Sequence, residues 1–302
     1  MTNPAFRLFI TLIKVCGGFL TVLALIILLT VFLQHLRKGS AEEALMGQRG
    51  TAAALAKIQD KPFFTKLGEF IAELPSIAAW KTLRGTQVMP QIGNALGNTA
   101  LLTGFSLAFS VIIGLALLFA GELYPKTQAT LERLASAINT TPIFLVGIFF
   151  IWLFAFALRL LPSGGDQDAR AFILPGLSIG VKFGCRLFLL LRNYMRELDT
   201  KVFILRARAY ALTERRIFFH KLMNCLMPFV IFWLIETASL FSGAVIVEAL
   251  FSIHGLGSLL IFALLQYDIR LIFANLVVIA AIVYLTSILQ NVIASRRETI
   301  TS

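Results

Sequence analysis

Six long apolar stretches dominate this chain, over residues 9–33, 95–120, 134–158, 173–191, 227–250 and 271–294. Each is close to or above the ~20 residues a helix needs to cross the hydrocarbon of a bilayer. Phe, Leu, Ile and Val recur around the whole helical circumference in these stretches, where a surface helix would keep a polar stripe. The alternation of an outer-membrane barrel is absent, so the expected fold class is an all-α polytopic membrane protein with about six transmembrane helices. Composition agrees: 58% of the 302 residues are hydrophobic and 14% are charged, which nearly excludes a water-soluble enzyme. The net charge of +11 would suggest a nucleic-acid partner in a soluble protein. In a chain that spans a bilayer it belongs to the loops that orient the spans, and no nucleic acid is expected.

The first stretch follows Arg7 and Lys14 and so has the flanks of a signal peptide. Its apolar core, Val15 to Leu33, is too long for that and no small-residue cleavage site follows closely, so it is read as the first span. Six spans put both termini on one side. Assigning the termini to the cytoplasm gives that side Arg7, Lys14, Lys126, Arg133, eight basic residues from Arg192 to Lys221, and Arg296 with Arg297, against Arg159, Arg170 and Arg270 in the opposite short loops. The expected placement is therefore multi-pass in a membrane, with both termini cytoplasmic. The expected organisation is an N-terminal transmembrane helix over 1–34, an external segment over 35–93 and a transmembrane domain over 94–297. Short helices are expected in the external segment at Ala52 to Ile58 and Phe63 to Leu74, separated by Pro62 and stopped by Pro75.

Cys16, Cys185 and Cys225 lie in or beside apolar spans without paired spacing, and His35, His220 and His254 form no ligand pair, so no metal and no cofactor is assigned. A phosphate-cradling loop requires a Gly-Lys dipeptide, and none occurs in the chain. No Ser-His-Asp or metal-hydrolase constellation is present either. The chain is expected to be non-catalytic, and any ATP-driven work must come from another polypeptide.

The loop between spans four and five, over 192–226, carries most of the information. Between Arg192 and Lys221 it holds eight basic and three acidic residues, together with the apolar Phe203, Ile204, Ile217, Phe218 and Phe219. It is too polar to cross the membrane and too apolar for a free linker, so a folded, docked loop is expected. Alanine-rich Arg206 to Ala211 reads as helix, and Thr213 is placed to cap a second helix beginning at Glu214. Small side chains at Ala207, Ala209 and Ala211 allow another surface to approach the backbone, with Arg206, Arg208, Arg215 and Arg216 around the contact. An ordinary basic loop that merely follows the charge rule for cytoplasmic segments is the competing reading.

RARAYALTERRIFFHKLMNCLMP, from Arg206, resembles the EAA-type coupling loop of binding-protein-dependent ABC transporter permeases of the dipeptide and oligopeptide importer type, with a MetI-like transmembrane domain. Other segments resemble the same family in the right order: TPIFLVGIFF from Thr141, LPSGG from Leu161, ILPGLSIG from Ile173, and GAVIVEALFSIHGLGSLL from Gly243, which is similar to the signature GAVVVE-x-x-F-x-x-PGLG-x-L. The resemblance covers roughly 90–297. It implies a transmembrane permease subunit that pairs with a second, homologous permease, is served by two cytoplasmic ATP-binding cassette ATPases, and receives solute from an external solute-binding protein. It further implies that Arg208, Ala209, Tyr210, Ala211, Leu212, Thr213 and Glu214 couple the subunit to an ATPase. Ala211 stands where the family's loop glycine is usual. If that glycine is left-handed, alanine there costs about 1 kcal/mol, and the local turn is expected to differ. His254 stands at the signature proline. Glu248 matches the signature acid and is expected to fix the re-entry of SIHGLGSLL through hydrogen bonds, with Gly255 and Gly257 permitting a tight turn.

Lys182 and Arg186 lie four residues apart in span four, on one helical face and at a depth where lipid exposure costs several kcal/mol. Glu236 in span five is the available acid. Glu236 pairs with one of the two bases, or all three line the translocation path. Snorkelling outward or contact with a partner subunit is the alternative. Asn139 and Thr140 are expected to satisfy the backbone near Pro142. A stand-alone secondary transporter or channel using Lys182, Arg186 and Glu236, and a membrane scaffold whose basic loop grips lipid or protein, are the readings from other classes.

Overall fold

The computed structural model describes residues 4–36, 62–82 and 84–301, and of these the side chains of 17–33, 35, 62–82, 84–242 and 244–293. Its helices are α1 (Pro4–Leu36), α2 (Phe63–Glu73), α3 (Val88–Leu123), α4 (Gln128–Thr140), α5 (Ile143–Phe150), α6 (Ile173–Leu198), α7 (Val202–Ala209), α8 (Glu214–Asn224), α9 (Leu226–Gly243), α10 (Val245–Leu250), α11 (Leu256–Leu265) and α12 (Ile269–Thr301). Among the described residues the only β-type pairing is an isolated bridge between Lys81 and Gln87. The protein is an all-α polytopic membrane protein. The expected helix at Ala52 to Ile58 lies outside the described residues; the one at Phe63 is α2.

Three helical segments are singly long and apolar enough to span a bilayer: α3, Ala169–Leu198 and Ile269–Ile293. Two more qualify as bent pairs, Pro125–Thr140 with Ile143–Ala157 at 100°, and Glu214–Asn224 with Leu226–Ser242 at 45°. The apolar part of α1, Gly17–Leu33, is shorter. The stretch 134–158, expected as one continuous span, is therefore broken between Thr141 and Pro142. Proline brings no N–H to a helical ladder and biases the residue before it toward extended backbone, and Thr141 is extended (φ −65, ψ 133). Beyond the break α5 runs on into π-helical turns over Ile151–Ala157.

Contacts divide the chain into two compact units, Met1–Gly97 with His254–Ile288, and Asn98–Ile253 with Leu289–Ser302. In the first unit an aromatic cluster of Phe70, Trp80 and Phe273 is closed by an edge-to-face contact of Phe70 on Phe273 at 5.1 Å. Arg270 Nη2 donates to Glu73 Oε2 at 3.0 Å, and Asn275 Nδ2 donates to the Leu256 carbonyl at 2.8 Å.

In the second unit α6 is the organising element and the most buried of the three single spans. It carries Gly176, Gly180 and Gly184 at four-residue spacing, set against Phe105, Phe109 and Ile113 of α3, also four apart. A Cβ on Gly180 would lie 2.4 Å from the Phe109 Cβ, and one on Gly184 2.8 Å from the Ile113 Cβ. The missing side chains let the backbones approach closely, which in a bilayer replaces the hydrophobic drive that lipid removes. Residue numbers on the two helices rise together along this seam, so they run parallel. At one end α6 contributes Phe183, Ile179 and Leu174 to a core with Leu102, Leu240 and Phe251; at the other, Leu187, Leu191 and Met195 pack with Leu118, Phe218 and Phe232. Glu132 of α4 accepts from Arg196 at 2.7 Å and from Arg192 at 3.4 Å, tying α4 to the last turns of α6.

The turn LPSGG, from Leu161, docks on the end of α10. Gly165 N–H donates to the Phe251 carbonyl at 2.8 Å, and Gly164, at φ +157, leaves no room for a side chain beside that carbonyl.

Candidate functional site

α6 ends at Leu198 and the chain reverses through Asp199 and Thr200 into α7. The stop of α7 is a paired closure: Leu212 N–H donates to the Ala207 carbonyl at 3.2 Å and Ala211 N–H to the Arg208 carbonyl at 2.9 Å. Such a closure requires a left-handed residue between the two donors' carbonyl partners and the outgoing chain, and Ala211 takes φ 52. The expectation that alanine would alter the turn is thus corrected. The glycine-type conformation is kept with its side-chain cost, because bonds on both sides over-determine it. Thr213 occupies the N-cap position of α8 with extended backbone (φ −64, ψ 147), but its side chain makes no capping bond, contrary to expectation. The Thr213 carbonyl instead accepts from Ile217 N–H at 3.1 Å, and Glu214 supplies a favourable negative charge to the first turn.

A single carboxylate oxygen holds this loop together. Asp199 Oδ1 accepts from Arg208 Nη2 at 2.7 Å and from Lys221 Nζ at 2.6 Å, joining α7 and α8 to the end of α6. Ile204, Ile217 and Phe218 are buried beneath, while Tyr210 is 82% exposed and Val202, Leu205, Phe219 and Met223 stand open. Arg206, Arg215 and Arg216 are exposed around them. The result is a basic helical turn with exposed apolar side chains on both helices and Tyr210 at its bend. Asp199 was not singled out in the sequence, although it is one of only three acids in a basic loop.

The polar groups of span four part company. Arg186 Nη1 donates to Glu236 Oε1 at 2.7 Å; the Glu236 side chain is 2% exposed and that of Arg186 46%. Glu236 Oε2 is buried without a hydrogen-bond partner. Lys182 goes elsewhere: its Nζ donates to the Thr141 carbonyl at 2.6 Å. That carbonyl is one that the break before Pro142 releases from the helical ladder, so the ammonium satisfies it and pins the bend to α6. The hydroxyls of Thr140 and Thr141 both return to the Ala137 carbonyl at 2.9 Å, whereas the side-chain oxygen of Asn139 is buried and unpartnered.

Glu248 is fully buried and accepts from Thr99 Oγ1 of α3 at 2.8 Å, a pairing across 149 residues that no local signal announces. The tight turn after it is not made by the glycines. Ser252 takes φ 53 while Ile253 N–H donates to the Glu248 carbonyl at 2.8 Å. Gly255 is extended (φ −94, ψ −175) and Gly257 lies in α11. A third stop of the same kind follows α11, with Tyr267 at φ 53 and Asp268 N–H donating to the Ala263 carbonyl at 2.9 Å.

A polytopic helical protein with a folded basic loop between two spans and paired charges inside them fits a membrane translocation component. Residues 112–299 match the family of binding-protein-dependent transport system inner membrane components, and the chain belongs to that family. It is similar to the dipeptide transport system permease protein DppB of Alkalihalophilus pseudofirmus, at 23% identity over 89% of this chain and 92% of the relative. It is also similar to the oligopeptide transport system permease protein OppB of Mycobacterium tuberculosis, at 27% identity over 78% and 79%. The glutathione transport system permease protein GsiC of Salmonella typhimurium shares 23% identity over 81% and 83%. The chain is accordingly a non-catalytic, multi-pass permease subunit of an ABC transport system that works with ATPase and binding-protein partners, not a stand-alone transporter.

Proposed function

We propose that this subunit forms one half of the translocation path of an ATP-driven importer for peptides or solutes of similar size. The substrate class follows the relatives, whose names specify dipeptides, oligopeptides and glutathione. In this reading a second homologous permease completes the path, two ATP-binding cassette ATPases dock on the cytoplasmic face, a solute-binding protein delivers from outside, and both termini are cytoplasmic. Arg208 to Glu214 seats in the ATPase surface. The observation that carries the reading is the exposed turn centred on Tyr210, held to α6 through Asp199, because a protrusion fixed at both ends transmits displacement to the spans it joins.

Lys182, Arg186 and Glu236 belong to the path in this reading. A guanidinium left half exposed in the middle of a span calls for water or solute beside it rather than hydrocarbon. Glu248 serves a structural role in it, with Gly255 and Gly257 packed beyond. The test is co-purification: Ala211→Trp or Glu214→Lys should strip the ATPase from the complex while the permease stays in the membrane. Lys182→Ala should change transport with assembly and basal ATPase activity intact. Uptake driven by an ion gradient in vesicles without any ATPase would overturn the proposal.

A further inference from the structure

Helix α2 is not accounted for by transport. Its N-terminal Phe63 meets His35 at the end of α1 edge-to-face at 5.9 Å, and its C-terminal Glu73 is bonded by Arg270 in the first turn of α12 at 3.0 Å. Phe70, on its inner face, packs on Phe273 one turn further into α12. Both ends of α2 are thus tied to the same ends of two apolar helices, α1 where it finishes and α12 where it begins. A helix of 11 residues, roughly 16 Å long, fixed in that way lies across the helix ends and along the membrane surface rather than through it.

The face turned away from this packing is apolar. Phe64 is 80% exposed and Ile71 49% exposed, with Gly68 exposed between them at i, i+4, i+7 spacing. It continues the open apolar surface of α1 within the same unit, where Leu25, Leu28, Leu29 and Phe32 are all exposed. For a chain that spans a bilayer that α1 surface faces acyl chains, and the stripe on α2 extends it into the plane of the interface.

We infer that α2 is an interfacial anchor: Phe64 and Ile71 insert into the headgroup–acyl boundary of the lipid leaflet at the α1–α12 end, fixing the height of that end of the subunit in the membrane. The inference does not depend on which side of the membrane this end faces, nor on the solute.

The test is site-directed spin labelling of the complete transport complex in phospholipid vesicles. Nitroxides are attached at Phe64→Cys, Ile71→Cys and, as polar reference, Thr65→Cys, in a chain carrying Cys16→Ser, Cys185→Ala and Cys225→Ala. Power saturation should show the labels at 64 and 71 relaxed by oxygen about threefold more than by a water-soluble nickel chelate, with the order reversed at 65. Nickel access at 64 and 71 equal to that at 65 would mean that the stripe faces water, and the inference would fail. Protection from both reagents would mean that protein covers it, which overturns the lipid assignment equally.

Discussion

The seam between α3 and α6 and the turn between α7 and α8 are held by opposite means. The seam is backbone-close, with three buried glycines facing Phe105, Phe109 and Ile113 and no charge among these six. The turn is open to solvent, carries five basic residues from Arg206 to Lys221, and hangs on one oxygen of Asp199. Close packing resists any change of volume, whereas ion pairs at a surface are weak singly and screened by salt. The same chain therefore has a part that must not move and a part that can be gripped.

The contrast can be broken most severely at the seam. Gly180→Leu should cost more than about 3 kcal/mol, since its first side-chain carbon alone would meet Phe109 at 2.4 Å; the permease should be lost from membranes or melt far earlier in detergent. Second in size is the buried pair. Arg186→Met deprives the buried Glu236 carboxyl of its ion-pair partner and should lower thermal stability by about 2 kcal/mol, less than for a fully buried partner because the guanidinium is half exposed. Glu236→Gln in the same chain should recover most of it, and an unrecovered double variant would show that the charge is not the cause. Asp199→Asn should cost no more than about 1 kcal/mol of stability yet weaken ATPase association, more at low salt than at high. The smallest effect is expected from Ala211→Gly. It removes left-handed strain but frees the unfolded chain, for a net gain below about 1 kcal/mol, readable as slower exchange of the Leu212 amide.

What the sequence made legible follows the range of each interaction. Spans appear as apolar runs because the bilayer imposes a length on them, and the helix–turn–helix of the loop appears because its signals are local. The broken third span did not appear, because TPIFLVG stays apolar across the break and a proline within a span is compatible with anything from a slight kink to the 100° observed. Its stabilising partner, Lys182, is 41 residues away. Sequence also left Glu236 a choice between Lys182 and Arg186, since both share one helical face; the bend at Thr141 decides it by taking the lysine. The glycines 176, 180 and 184 were visible as letters, but their purpose depends on the four-residue spacing of bulky residues on α3. Gly255 and Gly257 misled for the converse reason: glycine near a turn suggests the left-handed residue, and here Ser252 fills that role.

Ala211, Ser252 and Tyr267 each end a helix in a geometry that glycine would enter more easily. A side chain in that position leaves the backbone few other places to go. The hydrogen bonds that close each helix hold these residues there against that strain. In the proposed coupling, a push delivered at Tyr210 would pass to α8 through a bend closed by hydrogen bonds to Ala207 and Arg208.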